Sequence, residues 1–222
     1  MNSSSRTPAR TLLLDLDGSL TDPGVGITRC IHHALVALGR TPPTVESLTW
    51  CIGPPLQTSF AQLLDTDDAL EVARAVELYR ERFRAVGLLE NEPIPGIHEA
   101  LAQLRAHGHR LVLATSKPRL FATRIARHFG FDAQLEAIFG AELDGRRSDK
   151  AELIGHVLRA VGLEASGAVM VGDRSHDIVG ARANGLDSIG VLWGYGDAAE
   201  LTTAGATWLA HEPADLARLV HG

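Results

Sequence analysis

Short apolar runs that end in turn residues recur along this chain and predict the strands of a buried sheet. They cover residues 11–17, 110–115, 168–173 and 188–192, and a weaker run lies near residues 135–143. These runs are continuously apolar rather than alternating with polar positions. Each therefore favours a strand that is covered on both faces, as in a parallel sheet.

Between these runs, apolar residues spaced three or four positions apart predict helices. Such stripes occupy residues 97–104, 121–129 and 153–161, and a glycine follows each of them within a few positions. A glycine at that point suits the end of a helix. Alternating strands and helices predict an α/β fold with a doubly wound, parallel, Rossmann-like sheet.

Between the first two predicted strands the alternation breaks, because the pattern there is helical only. Apolar stripes at 31–38 and 76–86 predict helices with no strand between them. We therefore expect an inserted helical cap domain at 23–92. The α/β core domain would then be discontinuous, with segments 1–22 and 93–222.

Composition narrows the class of protein. The chain has 222 residues and a formal net charge of −6, which argues against a broad basic surface for a nucleic-acid polymer. No segment approaches the roughly 20 apolar residues of a membrane span. Cys30 and Cys51 are too few for a disulfide framework and suit buried thiols in a reducing compartment. We expect a cytoplasmic protein, with a solvated helix face at arginines 74, 80, 82 and 84.

The first candidate site follows the first predicted strand, where Asp15 and Asp17 precede Gly18. Sites in parallel sheets form at the carboxyl ends of strands, and a glycine lets the backbone turn there. One carboxylate could attack or bind a metal while the other handles protons. A calcium loop is excluded, because the position eleven residues after Asp15 is Gly26 rather than a bidentate acid.

A second pair of acids follows the strand predicted at 168–173. Asp173 would lie at its end, and Asp177 in the first turn of the next helix. Carboxylate oxygens from neighbouring strand ends are suitable ligands for Mg²⁺. Asp177 alone could equally be an acid that stabilises the start of a helix.

Further positions in two segments, 115–119 and 150, could hold an anion. Thr115 and Ser116 end the second predicted strand, where hydroxyl and backbone N–H groups suit a phosphoryl oxygen, although such a pair is also common as a helix cap or turn. Lys150 opens a predicted helix, an unusual place for a lysine that suggests a functional role. Lys117 is its rival, and Arg119 is a possible helper.

Taken together and in this order, these residues resemble the haloacid dehalogenase superfamily, and within it the Mg²⁺-dependent phosphatases. The helical insertion is similar to the family's cap of the first type. Segments 52–56 and 148–153 resemble the phosphoglycolate phosphatase-like branch, in which related sequences are often assigned as 5'-nucleotidases. Ser19 replaces the usual threonine and Ala151 a commoner proline. The matching motifs are Asp15-Leu-Asp17-Gly18-Ser19-Leu20, Thr115, Lys150 and Gly172-Asp173-Arg-Ser-His-Asp177.

The resemblance implies a role for each matching residue. Asp15 would be the nucleophile that forms an aspartyl-phosphate. Asp17 would protonate the leaving alcohol and then deprotonate water, and its backbone carbonyl would also bind Mg²⁺. The remaining implied roles are metal binding by Asp15 and Asp173, metal binding by Asp177 directly or through water, and phosphoryl binding by Thr115 and Lys150. Beside these roles, we expect further substrate contacts at Gly18, Ser116 and Arg119.

These roles predict a Mg²⁺-dependent phosphomonoesterase that acts on a small phosphorylated metabolite, similar to phosphoglycolate phosphatase. The alternatives are a 5'-nucleotidase and a phosphomutase that passes the phosphoryl group to a sugar hydroxyl. A receiver-like phospho-acceptor or an inactive binding module is disfavoured, because receivers lack the insertion and no essential residue type is missing here. We expect a small phosphate ester as the partner, no nucleic-acid polymer and no membrane, and a protein that is a monomer or a homodimer. Cap residues 53–60 would select the substrate, with Arg29 and His32 as weaker candidates.

Overall fold

The computed structural model describes residues 9–221, so residues 1–8 of the first predicted core segment and residue 222 lie outside the described part. The strands of this part, in chain order, are β1 (Thr11–Leu14), β2 (Thr21–Asp22), β3 (Glu92–Pro93), β4 (Arg110–Pro118), β5 (Ala137–Ala141), β6 (Ala168–Gly172), β7 (Asp187–Val191) and β8 (Trp208–Ala210). The α-helices are α1 (Gly24–Ala37), α2 (Leu56–Leu64), α3 (Ala69–Ala85), α4 (Ile97–Ala106), α5 (Arg119–His128), α6 (Lys150–Val161), α7 (Ser175–Ala183), α8 (Ala198–Ala204) and α9 (Asp215–His221).

Six strands form a parallel sheet in the order β5-β4-β1-β6-β7-β8, which confirms the predicted doubly wound α/β fold. The weak run near residues 135–143 is the edge strand β5. Because β1 lies between β4 and β6, the strand order reverses at β1. Ligands of open α/β sheets bind at the carboxyl ends of the strands beside such a reversal.

The apolar runs form the core of the sheet, as their continuous hydrophobicity predicts. Leu13, Val112 and Met170 lie on three adjacent strands and are fully buried in one cluster. Leu153 and Val157 of α6 pack into the same cluster, so the apolar stripe of this helix covers one face of the sheet.

Helix α6 begins and ends where its sequence predicts. The Asp149 carboxylate accepts a hydrogen bond from the backbone N–H of Glu152 at 2.9 Å and so caps the helix start. Gly162 ends the helix in the left-handed conformation that favours glycine. The cap fixes Lys150 as the first helical residue, and this residue is buried.

The chain divides into two compact units. One contains the residues up to Leu20 and from Ile94 onward, and the other spans Thr21–Pro93. The predicted core domain ends at residue 22 and resumes at residue 93, so its first boundary differs from this division by two residues and its second by one. The difference arises because β2 pairs with β3 in a short antiparallel ladder that belongs to the second unit.

The second unit is helical apart from that ladder, and aromatic side chains fill its interior. Tyr79 and Phe83 of α3 stack with ring centroids 5.5 Å apart, and Phe60 of α2 meets the edge of Tyr79 at 6.3 Å. Of the segment predicted to select the substrate, Ser59 and Phe60 are buried within this unit, whereas Gln57 and Thr58 are exposed.

The expectation of a solvated arginine face on α3 holds for Arg74 and Arg84 but is wrong for Arg82. The Arg82 guanidinium is only about one-fifth exposed and donates two hydrogen bonds to the Glu90 carboxylate, at 2.7 and 3.1 Å. It also lies 3.2 Å from the Cys30 sulfur. Glu90 accepts a further hydrogen bond from Arg29, so Arg82 belongs to an ion-pair network inside this unit.

The C-terminal strand β8 and helices α8 and α9 were not predicted. A three-residue strand and two seven-residue helices are too short for a periodic pattern to stand out. Across the described residues no helix combines the length and hydropathy needed to cross a bilayer.

Both cysteines are buried thiols that form no disulfide, as predicted. Burial raises the pKa of the Cys51 thiol to about 11, against a weaker lowering by the Ser59 hydroxyl. At pH 8 only about 0.1% of Cys51 is then thiolate, the form that reacts with disulfide reagents. We expect no thiol to react with an aromatic disulfide reagent within minutes in the folded protein, and both to react after unfolding in guanidinium. Rapid modification of one thiol in the native state would contradict this arrangement.

Candidate active site

The candidate residues meet at the carboxyl end of the sheet, within the unit that holds all six parallel strands. Asp15 and Asp17 follow β1, and Asp173 follows β6. Thr115 lies near the end of β4, on the other side of β1. Since β4, β1 and β6 are adjacent, the sheet topology itself brings these four side chains to one edge.

Three carboxylates form the centre of the site. Ligand oxygens of Asp15, Asp173 and Asp177 all lie within 4.8 Å of one another, and the three residues are buried. Helix α7 supplies Asp177 from its first turn, where its carboxylate also accepts a hydrogen bond from the backbone N–H of Arg174 at 3.2 Å. Asp177 therefore stabilises the helix start and joins the carboxylate cluster at once, so the two alternatives suggested by its position coexist.

Lys150 lies between two of these carboxylates. Its Nζ is 2.8 Å from Asp15 Oδ1 and 2.7 Å from Asp177 Oδ1, and it donates to the Ala114 carbonyl at 3.1 Å. Burial lowers the pKa of Lys150, but the attraction of Asp15 and Asp177 outweighs burial and leaves the pKa above the usual lysine value. The ammonium group is therefore charged at neutral pH.

The buried charges of this cluster do not balance one another. If ionised, three buried carboxylates and one ammonium leave an excess of negative charge. Burial accordingly raises the pKa of Asp173 well above its usual value, and the neighbouring Asp177 and Asp15 raise it further. Burial also raises the pKa of Asp177, against the lowering effect of Lys150. A divalent cation with oxygen ligands fits this donor set, so the cluster could bind a metal.

Asp17 lies outside the carboxylate cluster and forms an ion pair with Lys117. Lys117 Nζ donates to Asp17 Oδ2 at 2.5 Å. Asp17 Oδ1 is buried and accepts no hydrogen bond from the residues that the structure describes. Burial raises the pKa of Asp17, and the attraction of Lys117 offsets only part of this rise. A carboxyl group that is more readily protonated than usual suits a proton donor.

Gly18 allows the first motif to pass closely beside Asp173. Its φ is +82°, a conformation that side chains other than glycine rarely adopt. A Cβ atom at this position would lie 2.1 Å from Asp173 Oδ2, which is shorter than any real contact. The structure thus gives Gly18 a packing role against a candidate metal ligand, while its predicted contact with substrate stays a prediction.

The predicted phosphoryl-binding residues differ in how closely they belong to the site. Thr115 is buried, and its hydroxyl accepts a hydrogen bond from the Lys117 backbone N–H at 3.2 Å. The Ser116 hydroxyl donates to the Ser148 carbonyl at 3.0 Å, which ties the end of β4 to the segment before Lys150. Arg119 is exposed at the first residue of α5, and among the described residues its side chain makes no ion pair with these acids.

Sequence reasoning missed two contributors to this site. It treated Lys117 only as a rival of Lys150, whereas the structure places both lysines there, each with a different acid. It also overlooked the segment after β7, where the Tyr195 backbone N–H donates to Asp173 Oδ2 at 2.8 Å. The rule that sites form at the carboxyl ends of strands applies equally to β7 and could have drawn attention to this segment.

Fold and site together define an enzyme of the doubly wound α/β class, with acids and a lysine gathered at the reversal of the sheet. Residues 12–191 match the haloacid dehalogenase-like hydrolases, and the chain belongs to that family. This membership confirms the resemblance that the four motifs indicated. The chain is a hydrolase of the phosphoric monoester class.

Three known proteins illustrate the similarity. A 5'-nucleotidase from Pseudomonas aeruginosa is 50% identical over 94% of this chain and 92% of its own length. The tyrosine-protein kinase PtkA from Mycobacterium tuberculosis is 39% identical over 90% of this chain and 68% of its own length. The crystal structure of a predicted phosphatase from Clostridium acetobutylicum aligns with a TM-score of 0.91 at 36% identity, covering 96% of this chain and 99% of that one.

Proposed function

We propose that this hydrolase is a Mg²⁺-dependent phosphatase of small phosphate monoesters, with nucleoside 5'-monophosphates as its main substrate class. The observation that carries the proposal is the buried cluster in which Asp15 lies beside two further carboxylates and Lys150. The substrate class draws its support from the P. aeruginosa relative, which is named a 5'-nucleotidase and matches this chain nearly end to end.

In this proposal Asp15 is the nucleophile. A carboxylate oxygen of Asp15 attacks phosphorus, an aspartyl-phosphate bond forms, and the bond from phosphorus to the ester oxygen breaks. Lys150 lies 2.8 Å from Asp15 Oδ1, so its charge orients this carboxylate and offsets the negative charge of an incoming phosphoryl group. Phosphoryl transfer depends mainly on such positioning and charge neutralisation.

Asp17 moves the proton. Its protonated carboxyl group gives a proton to the leaving oxygen, so that a free alcohol departs. Asp17 then accepts a proton from the water that attacks the aspartyl-phosphate, which releases inorganic phosphate and restores the Asp15 carboxylate. Two observations support this assignment: the raised pKa of Asp17, and the buried Oδ1 atom that has no hydrogen-bond partner among the described residues.

The carboxylates of Asp15, Asp173 and Asp177 would hold Mg²⁺, with the Asp17 backbone carbonyl as a further ligand. When bound, the ion neutralises charge on the phosphoryl group and on the carboxylate cluster. Thr115 and Lys150 would hold phosphoryl oxygens, with Gly18 and Ser116 beside them and Arg119 as a weaker candidate. A cytoplasmic location and a small-molecule partner complete the proposal.

The deciding experiment is a phosphate-release screen with Mg²⁺ over a panel of phosphate esters. The panel contains nucleoside 5'-monophosphates, 2-phosphoglycolate, hexose phosphates and phosphotyrosine, the last because PtkA is named a tyrosine kinase. We expect the nucleotides to give the highest kcat/KM. A preference for 2-phosphoglycolate would instead favour the phosphoglycolate phosphatase alternative. Isomer interconversion with a sugar bisphosphate, without free phosphate, would overturn the hydrolase in favour of a mutase.

Removal of divalent metal is expected to abolish phosphate release. The physical reason is that the buried carboxylates would repel an anionic substrate once their cation is gone. Activity is measured after treatment with EDTA and again after Mg²⁺ is restored in excess. Full recovery on adding Mg²⁺ separates loss of metal from unfolding, and unchanged activity in EDTA would refute the metal dependence.

A further inference from the structure

The segment after β7, Leu192–Asp197, reaches back to the carboxylate cluster; we call it the β7 loop. Its sequence is Leu-Trp-Gly-Tyr-Gly-Asp, and it is half-buried for most of its length. The backbone N–H of Tyr195 donates to Asp173 Oδ2 at 2.8 Å.

The loop lies so close to Asp173 that one of its residues must lack a side chain. A Cβ atom on Gly194 would lie 2.4 Å from Asp173 Cβ and 2.5 Å from both Asp173 Oδ2 and the Gly18 carbonyl oxygen. None of these neighbours is the far end of a flexible chain, so an added methyl group would displace the Asp173 side chain or the Gly18 backbone.

A second contact joins the loop to the other oxygen of Asp173. The Trp193 indole N–H donates to the Ser19 carbonyl at 3.0 Å. Ser19 in turn points its hydroxyl at Asp173 Oδ1, in a long hydrogen bond of 3.4 Å. The loop therefore restrains Oδ2 directly and Oδ1 through Ser19, and both restraints act on the same buried carboxylate.

We propose that the β7 loop is a positioning element of the metal site, which holds the Asp173 carboxylate in the orientation that binds the divalent cation. The inference rests on the proposed metal site and assigns to the loop a share of its affinity. Groups that orient a metal ligand without touching the metal commonly contribute 10–100-fold to affinity. In this protein the contributors are a backbone N–H, a glycine and an indole, none of which can bind the metal itself.

The test compares metal affinity in matched pairs of variants. Gly194→Ala places a methyl group against Asp173, and its control, Gly167→Ala, meets only the flexible end of Leu163 at 3.3 Å. Trp193→Phe removes the indole N–H and keeps a ring. Trp208→Phe is its control, because it makes the same change in strand β8, where the Trp208 ring packs against Arg10. Mg²⁺ binding is measured by calorimetry on the full chain, and metal-free stability by thermal unfolding.

We expect Gly194→Ala and Trp193→Phe to weaken Mg²⁺ binding by about 10–100-fold and about 10-fold, respectively. The controls should bind like the wild type. In Trp193→Phe, excess Mg²⁺ should restore kcat, because the ligand is misplaced rather than removed, whereas a general structural defect would not respond in this way. Trp193→Phe also keeps the test decisive if Gly194→Ala fails to fold.

Two results would overturn the inference in distinguishable ways. Wild-type Mg²⁺ affinity in folded Trp193→Phe would show that the loop does not position Asp173, and would leave the proposed phosphatase untouched. Absence of Mg²⁺ binding by the wild type itself would remove the metal site, and with it both the inference and the metal-dependent part of the proposed function.

Discussion

Asp15→Asn is expected to reduce phosphate release by at least about 1,000-fold, the scale on which loss of a nucleophile acts. Asparagine has nearly the same shape as aspartate, but its neutral amide oxygen is a poor nucleophile. Lys150 would keep its contact with Asp177 at 2.7 Å, so the fold should survive the change. The measurement is kcat with a nucleoside 5'-monophosphate at saturating Mg²⁺.

Trapping of the phosphoenzyme tests the same substitution more directly. Wild-type protein quenched in acid during turnover should carry phosphate in a bond that hydroxylamine cleaves, whereas Asp15→Asn should carry none. Asp132→Asn is the matched control, because it makes the same chemical change at an exposed position in the same unit. Near-normal activity of Asp15→Asn would refute the proposed nucleophile.

The part of the site that could be predicted from sequence is the part that depends on topology. A continuously apolar strand followed by an acid predicts a carboxylate at the carboxyl end of a parallel sheet, whatever the tertiary detail. Asp15 and Asp173 satisfy this condition, and β1 and β6 are adjacent in the sheet. Their proximity therefore follows once the order of the strands is known.

The contacts that could not be predicted depend on backbone groups or on the direction of long side chains. The N–H that binds Asp173 belongs to Tyr195, whose side chain gives no indication of this role. Lys117 and Lys150 carry the same charge, and only the geometry shows that one pairs with Asp17 and the other with Asp15. In the helical unit, the sequence pattern predicts that Arg82 is exposed like Arg74 and Arg84. A charge pattern does not reveal the ion pair of Arg82 with Glu90, eight positions further along the chain.

One compositional fact gains meaning from the structure: the chain contains only two lysines, Lys117 and Lys150, and both lie in this site. Its other strongly basic residues are arginines, whose planar guanidinium group suits bidentate pairs with carboxylates. The lysine ammonium is a compact charge, and that of Lys150 lies between the carboxylates of Asp15 and Asp177. The Lys150 stem passes close to Gly180, where an added Cβ atom would lie 2.9 Å from Lys150 Cγ.

Lys150→Met is expected to lower kcat by roughly 100- to 1,000-fold, the usual effect of removing one preorganised charge from a reacting group. Methionine fills a similar volume but leaves the buried Asp15 and Asp177 without their shared cation. Breaking a buried ion pair from one side costs about 3–5 kcal/mol. The metal-free variant should therefore also unfold at a lower temperature than the wild type.

The response to Mg²⁺ separates the two roles of this lysine. In Lys150→Met a bound divalent cation would replace the ammonium group as the positive charge beside Asp15 and Asp177. Mg²⁺ should therefore raise the Tm of the variant more than that of the wild type, while kcat stays low even at saturating Mg²⁺. Lys117→Met is the matched comparison, because it removes the partner of Asp17 and leaves the contacts of Lys150 intact. Its Tm should respond to Mg²⁺ like that of the wild type.

Two results would contradict these roles of Lys150. A normal kcat in Lys150→Met would show that the ammonium group does not serve the reaction. A smaller rise of Tm with Mg²⁺ than in the wild type would show that it does not balance the charge of the carboxylate cluster.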